Sequence, residues 1–480
     1  MEREVDVVVL GGGPVGQNVA DRARAGGLDV VLVEHELVGG ECSYWACVPS
    51  KVLLRSAAAL RAAQRVPGAA EAVSGTLDVA AVLRRRDYWV SDWHDDGEVG
   101  WLDSVGIELE RGHGRLDGPR RVVVTRPDGT ELTLVARHAV VVSTGSDPVV
   151  PPIPGLAEAQ PWTSRDATGV KHPPARLAII GGGVVATEMA TAYAGFGTEV
   201  TVLARSSLLG GMEAFAGEAV VDGLRGLGAS VRLGVESTKV ERNASGEVVI
   251  SLDDGSTITA DEVLVATGRK PRTVGIGLES VGLEAGAWID VDDTLLVIGA
   301  SGEGDWLYAT GDANHRALLT HQGKYQGRAA GDVIVARAQG RRVDASPWGV
   351  HAATADHSAV PQVVFAEPEC VSVGLTAAAA ERAGLEVRLA EVGMQSASGA
   401  GILAEDYEGR ARLVVDAGRG VVVGATFVGQ DVAELLQAAT IAIVGEVPVD
   451  RLWHAVPAFP TMSEVWLRLL EDLGRPEAAA

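Results

Sequence analysis

The stretch GGECSYWACVPSK, residues 39–51, carries Cys42 and Cys47, two of the three cysteines in the chain, with Pro49 and Lys51 just behind them. Two neighbouring thiols can be oxidised and reduced, can help hold a soft metal, or can simply fill an apolar site. Five residues of regular helix climb about 7.5 Å, more than the roughly 4.4–6.8 Å between the Cα atoms of a disulfide, so the segment must compress or bend before the sulfurs can bond. Pro49 favours a bend because it has no amide to bond back to Trp45. Zinc usually needs four ligands in spaced sets, and no second Cys or Cys/His pair supplies them, so no metal site is expected. Three cysteines cannot build a secreted disulfide framework. The compartment reads as reducing, and a disulfide formed in it as catalytic rather than structural.

The elements that must position these thiols repeat. Residues 5–34, DVVVLGGGPVGQNVADRARAGGLDVVLVE from Asp6 onward, read as strand, glycine turn, helix and strand, and residues 177–203 read the same way. In the first unit Gly11, Gly13 and Gly16 form GxGxxG, which permits a tight turn, a close backbone approach to a pyrophosphate and close helix–strand packing; Glu34 ends the second strand, placed to accept hydrogen bonds from a ribose. In the second unit Gly181, Gly183 and Ala186 give GxGxxA. Two further hydrophobic runs end in Thr-Gly, at Thr144-Gly145 and Thr267-Gly268, and Pro151, Pro152 and Pro154 make a stiff connector after the first. These read as crossings between interleaved domains.

The bulk properties agree with a large globular protein. With 480 residues, 47% of them hydrophobic, the chain has room for about three domains. A net charge of −23 argues against a nucleic-acid partner, and the basic run Arg84-Arg85-Arg86 reads as a solvated helix face. The N-terminus enters a strand at once without a charged leader, and no apolar run reaches about 18 residues, so the expected location is cytoplasmic with no membrane contact.

GGxCxxxxCVPSK, the two glycine turns, both Thr-Gly runs, ATGD followed by LTHQGKYQGR, and VVFAEPECVSVGLT (363–376) occur in an order that resembles the pyridine nucleotide-disulfide oxidoreductases, the family of dihydrolipoamide dehydrogenase, glutathione reductase and mercuric reductase. The resemblance implies an α/β fold with two Rossmann-like dinucleotide-binding domains and a C-terminal α+β dimerisation domain. It places FAD on residues 1–155 together with 272–344, the nicotinamide nucleotide on 156–271, and a homodimer interface on 345–480. It implies a redox disulfide between Cys47, nearer the flavin and able to form a charge-transfer complex as thiolate, and Cys42, the outer thiol open to substrate. It pairs Lys51 with Glu188 where hydride arrives, puts Asp312 on the FAD ribitol, and makes Thr144, Gly145, Gly268 and Gly311 cofactor-binding positions. Cys370 reads as a buried apolar residue.

Two departures shape the functional expectation. Relatives that use NADH carry an acid at the end of the second strand of the second fold, where this chain has Ala204 followed by Arg205, so NADPH is expected, with NADH possible. Disulfide-reducing members carry HPTxxE; aligning Pro460, Thr461 and Glu464 puts Phe459 in place of the His, and Phe cannot transfer protons. His454 would reach the site only if the segment bends differently. The expectation is an FAD enzyme passing electrons from NADPH through Cys42 and Cys47 to a small-molecule acceptor such as a quinone, metal ion or other electrophile. Tyr44 and Trp45 suggest an aromatic approach to the disulfide. The alternatives are a dihydrolipoamide dehydrogenase or other small-disulfide reductase with a different proton donor, and a nucleotide-bound subunit of a multienzyme assembly that does not turn over.

Overall fold

Valine dominates the first strand, and β1 (Glu2–Leu10) is buried on both faces, as a central parallel strand must be. The computed structural model describes residues 2–475. In chain order, β1 leads to α1 (Pro14–Ala25), β2 (Val30–Glu34), α2 (Gly40–Tyr44) and α3 (Cys47–Gln64), then β3 (Glu108–Arg111), β4 (His113–Leu116), β5 (Arg121–Thr125) and β6 (Glu131–Val142). The second glycine turn joins β7 (Arg176–Ile180) to α4 (Val184–Gly195) and β8 (Glu199–Ala204), followed by β9 (Ser230–Leu233) and β10 (Glu262–Val265). Then come β11 (Leu307–Ala309), α5 (Thr320–Ala338), and the C-terminal strands β12 (Pro361–Val364), β13 (Glu369–Gly374), β14 (Val387–Gly393), β15 (Arg410–Asp416) and β16 (Val421–Gly429).

Two compact units share these elements. One comprises Met1–Pro49, Asp87–Pro148 and Arg269–His357, the other Ser50–Arg86, Val149–Gly268 and Ser358–Ala480. The first is built on a seven-stranded sheet of order β3-β2-β1-β6-β5-β4 with β11 paired to β6. Its β1–β2, β2–β3, β1–β6 and β6–β11 pairings are parallel. A bulge between Val5 and Val7 shifts the register, so that Val5, Val8 and Leu10 enter one core while Val7 and Val9 enter the other, on the face covered by α1 and α5. The second unit holds a four-stranded parallel sheet, β9-β8-β7-β10, and a five-stranded antiparallel sheet, β12-β13-β16-β15-β14.

One sequence expectation fails here. Arg86 is not part of a solvated face: it is 0% exposed, and its guanidinium donates to the carbonyls of Thr168 and of Val170 (2.7 Å). Those carbonyls lie at and just beyond the end of the helix Ser164–Gly169, where orphan acceptors carry partial negative charge, so a buried cation is satisfied there. A run of arginines read from sequence alone does not reveal that remote partner.

Candidate active site

Both thiols belong to the first unit, and the local chain is bent. Helix α2 ends at Trp45, whose φ of −136° is non-helical, and α3 restarts at Cys47 with Pro49 in its first turn, where a missing amide costs nothing. Gly39 and Gly40, at φ +111° and +55°, make the entry. The Gly39 N–H donates to the Gly12 carbonyl at 2.8 Å, and a Cβ on Gly40 would stand 2.9 Å from Gly13 Cα, so the thiol segment lies directly on the glycine turn. Tyr44 is turned inward: it is buried, its hydroxyl donates to the Val38 carbonyl (3.1 Å), and Trp45 meets its ring edge-on.

Cys42 and Cys47 are both in the thiol form, and the Cys47 side chain is the neighbour that acts most strongly on Cys42. Cys47, together with burial, pushes Cys42 well above the ordinary thiol range. The Cys47 sulfur lies 3.3 Å from Thr320 Oγ1 at the start of α5. Cys42 and Thr320 line a cavity of about 330 Å³ with Gly11, Gly13, Glu34 and Asp312.

The walls of this cavity suit a dinucleotide. Gly16 lets α1 close on the turn, since a Cβ there would lie 2.0 Å from Gly11 O. No side chain caps α1 at Gly13, which leaves first-turn N–H groups for an anion. Glu34 accepts from the Gly12 N–H and the Glu36 N–H, each at 2.7 Å, and a carboxylate has acceptor sites to spare for ribose hydroxyls. Burial raises the Glu34 pKa, but hydrogen bonds from His35 and from those two amides outweigh it and hold it below the ordinary carboxylate value; the same contact raises His35. Thr144 Oγ1 is buried without a partner among the described residues and lines the cavity beside Gly145, a polar atom waiting for a ligand. Asp312 follows Gly311 in the cavity wall, where it accepts from Ser146 Oγ and lies 3.7 Å from Arg269 Nε.

In the second unit, Lys51 Nζ pairs with Glu188 Oε2 at 2.7 Å. Glu188 is 3% exposed, and its other oxygen accepts from the Phe365 N–H at 3.1 Å; the ammonium sits over the Phe365 ring. A Cβ on Gly181 would meet Ala266 O at 2.2 Å, and Gly183 opens α4, with Ala186 buried. Gly268, at φ +143°, follows β10. Ala204 ends β8 against Gly182, and Arg205 beside it is exposed. Near the C-terminus Phe459 is 76% exposed, His454 is exposed as well, and Glu464 is buried with its carboxylate accepting from the Ser398 N–H at 3.1 Å. Cys370 is fully buried, its thiol pushed up to about 12 by burial.

Residues 5–340 match the family described as pyridine nucleotide-disulphide oxidoreductase, and residues 360–469 match its dimerisation domain. The chain belongs to the pyridine nucleotide-disulphide oxidoreductase family. Relatives of this flavoprotein include a mercuric reductase of Acidithiobacillus ferrooxidans, 33% identical over 96% of this chain and 81% of that one, and a dihydrolipoyl dehydrogenase of Chlorobaculum tepidum, 32% identical over 96% and 95%. A glutathione reductase of Burkholderia cepacia is 30% identical over 97% of this chain and 98% of that one. The fold is that of LpdA from Mycobacterium tuberculosis, with a TM-score of 0.83 at 24% identity over 98% and 100% of the two chains. The Cu(II) complex of the flavoprotein disulfide reductase RclA from Escherichia coli gives 0.82 at 22% identity over 98% and 99%. The protein is thus an oxidoreductase of a family that uses FAD with a nicotinamide nucleotide. No helix among the described residues is long and apolar enough to cross a membrane.

Sequence reasoning passed over Thr320, His35, Ser146, Arg269 and Arg272. Thr320 stands inside LTHQGKYQGR, and the two arginines inside GRKPR, so the motifs were visible although these members of them were not singled out.

Proposed function

We propose that this protein carries reducing equivalents from NADPH to a Cys42–Cys47 disulfide and on to an acceptor that is not a small disulfide: a metal ion, a quinone or another electrophile. The observation that carries this reading is Cys42 in the wall of the cavity formed by the first glycine turn, with Cys47 five residues on and its sulfur 3.3 Å from Thr320 in the same wall. FAD, held by the Gly11–Gly16 turn, Glu34, Thr144 and Asp312, supplies hydride acceptance and electron delivery when bound. Lys51, oriented by Glu188, supplies a fixed positive charge in the second unit. Arg205 pairs with the 2′-phosphate that Ala204, lacking a carboxylate, does not repel. Phe459 brings no proton donor to the outer thiol, which disfavours substrates whose leaving thiolate needs one. The mercuric reductase relatives favour a metal ion among the acceptors. A homodimer is part of the proposal: Ile441, Val444, Val456 and Phe459, all within the matched dimerisation domain, are 59%, 41%, 85% and 76% exposed, and a second copy would cover them.

The test is an anaerobic acceptor panel with NADPH. Metal ions or quinones should be reduced about a hundred- to ten-thousandfold more efficiently than lipoamide or glutathione disulfide, the range a positioned acid–base group contributes. Rapid reduction of a small disulfide by the native protein would overturn the choice of acceptor. Where the native protein reduces small disulfides slowly, as expected, Phe459→His should raise that activity selectively by supplying the missing imidazole.

A further inference from the structure

Asp312 reaches the cavity on a single helical turn, Gly311–Asn314, that follows β11. A turn of four residues has too few internal bonds to hold itself, so its placement comes from what it is tied to. Gly311 starts it at φ +69°, and a Cβ on Gly323 would stand 3.1 Å from Gly311 Cα, so α5 lies directly against it. From α5 one side chain grips the turn at both ends. Gln326 Oε1 accepts from the Gly311 N–H at 2.8 Å and from Asn314 Nδ2 at 2.9 Å. Asn314 Nδ2 also donates to the Ala309 carbonyl at 3.1 Å, which ties the turn back to the end of β11.

Gln326 is 0% exposed, so its amide has no water to turn towards. It accepts at one end and donates at the other, and the Gly311 N–H can only donate, so a single orientation serves the turn. The far end of the amide is what enforces it. Gln326 Nε2 donates to Asp356 Oδ2 at 2.9 Å, and Gln322 Nε2, one turn earlier on the same face of α5, donates to Asp356 Oδ1 at 2.7 Å. The Asp356 side chain is fully buried, and a carboxylate offers acceptors only. Turning the Gln326 amide over would set its oxygen against that carboxylate and its N–H groups against the Gly311 N–H, leaving buried groups unpaired at both ends. Arg316 Nη1, 3.7 Å from Asp356 Oδ2 and 3.0 Å from Asp293, balances the buried charge.

We infer that Asp356 is a positioning residue for the flavin site: by fixing the Gln326 amide it holds the Gly311–Asn314 turn, and with it Asp312, in the cavity wall. Asp356 acts through Gln326 and does not itself line the cavity. The inference rests on the proposal that Asp312 helps to hold FAD.

The experiment exchanges the two partners and follows FAD release from the purified holoprotein, as flavin fluorescence regained on dilution, with each variant shown to be folded by circular dichroism. Gln326→Glu alone sets two carboxylates against each other and should speed release by about ten- to a hundredfold. Asp356→Leu, which removes the acceptor without adding a charge, should speed it by about tenfold. Adding Asp356→Asn to Gln326→Glu keeps the net charge and the number of hydrogen bonds of the native pair: the new carboxylate accepts from Gly311 at one oxygen and from the new amide at the other, and that amide accepts from Gln322. The double variant should return release to within about threefold of native. Should Gln326→Glu not fold, Asp356→Leu and the double variant carry the test. Native-like release from the single variants, or a double variant that loses FAD as fast as they do or does not fold, would overturn the inference alone. Native protein that neither retains nor takes up FAD would overturn the flavin reading and the inference with it.

Discussion

The two glycine turns are built on one plan and end differently. In each, the first glycine backs onto a strand that leads to Thr-Gly: a Cβ on Gly11 would meet Ser143 O at 2.3 Å, one on Gly181 Ala266 O at 2.2 Å. In each, the glycine directly after the first faces the end of the second strand, Gly12 against Glu34 and Gly182 against Ala204. The third position diverges, because Gly16 has no room for a Cβ while Ala186 carries one in a buried site. The strand ends diverge further, with a buried, hydrogen-bonded carboxylate at Glu34 and a methyl followed by an exposed cation at Ala204 and Arg205. On the reading proposed above, a shared backbone device receives the pyrophosphate, and one side chain at the strand end reads the ribose.

That comparison breaks most severely at Gly16. Gly16→Ala drives a methyl into a backbone carbonyl and should reduce bound FAD per chain by at least about tenfold, equivalent to about 1.4 kcal/mol, whereas Ala186→Gly should leave FAD content intact. Flavin absorbance against protein concentration measures both; full FAD in Gly16→Ala would mean that the first turn is looser than described. Arg205→Ala comes next. Losing a charge-assisted contact of about 1.5–3 kcal/mol should lower kcat/KM for NADPH by roughly ten- to a hundredfold while sparing NADH. Equal native efficiency with the two nucleotides would remove the distinction between the strand ends. Ala204→Glu sharpens it by giving the second fold the acid of the first: NADPH efficiency should fall about tenfold and NADH efficiency should rise.

The smallest effect is one of pH. His35 is raised by its hydrogen bond to Glu34, so its contribution is complete below about pH 6.5 and is lost as pH rises through its higher folded value. Glu34 is held low, so its contribution is present above about pH 4.3 and is lost only in acid, as pH falls through its folded value. Since His35 is about half exposed, His35→Gln should cost at most about 1 kcal/mol near pH 6, with a difference that fades by pH 9. Arg205→Gln, at the corresponding end of β8, should show no such fading. Thermal unfolding at the two pH values decides between them.

Much of this was legible because glycine and proline declare backbone geometry. Gly11, Gly16 and Gly181 stand where any side chain would strike a carbonyl, and Pro49 points to the bend between the thiols, so turn, helix and bend could be placed from local pattern. Glu34 was legible because strand and turn fix its distance from the glycines. Thr320 was not, since its contact with Cys47 joins residues 273 apart and a lone hydroxyl has no periodicity to betray it. Arg86 was misread for the same reason, its partners being carbonyls far along the chain. The pairing of Lys51 with Glu188 came from family resemblance, as nothing in the local pattern of either residue points to the other.

On the proposed reading, electrons from NADPH come to rest on Cys42 and Cys47 as well as on the flavin. Anaerobic titration of the purified holoprotein with NADPH, followed by absorbance, tests it most directly. Uptake of about four electrons per FAD is expected, a pair each for flavin and disulfide, with a broad long-wavelength band after the first pair. Cys42→Ser should show that band without any reduction. Uptake of only about two electrons per FAD, with no such band, would mean that Cys42 and Cys47 do not form a redox pair.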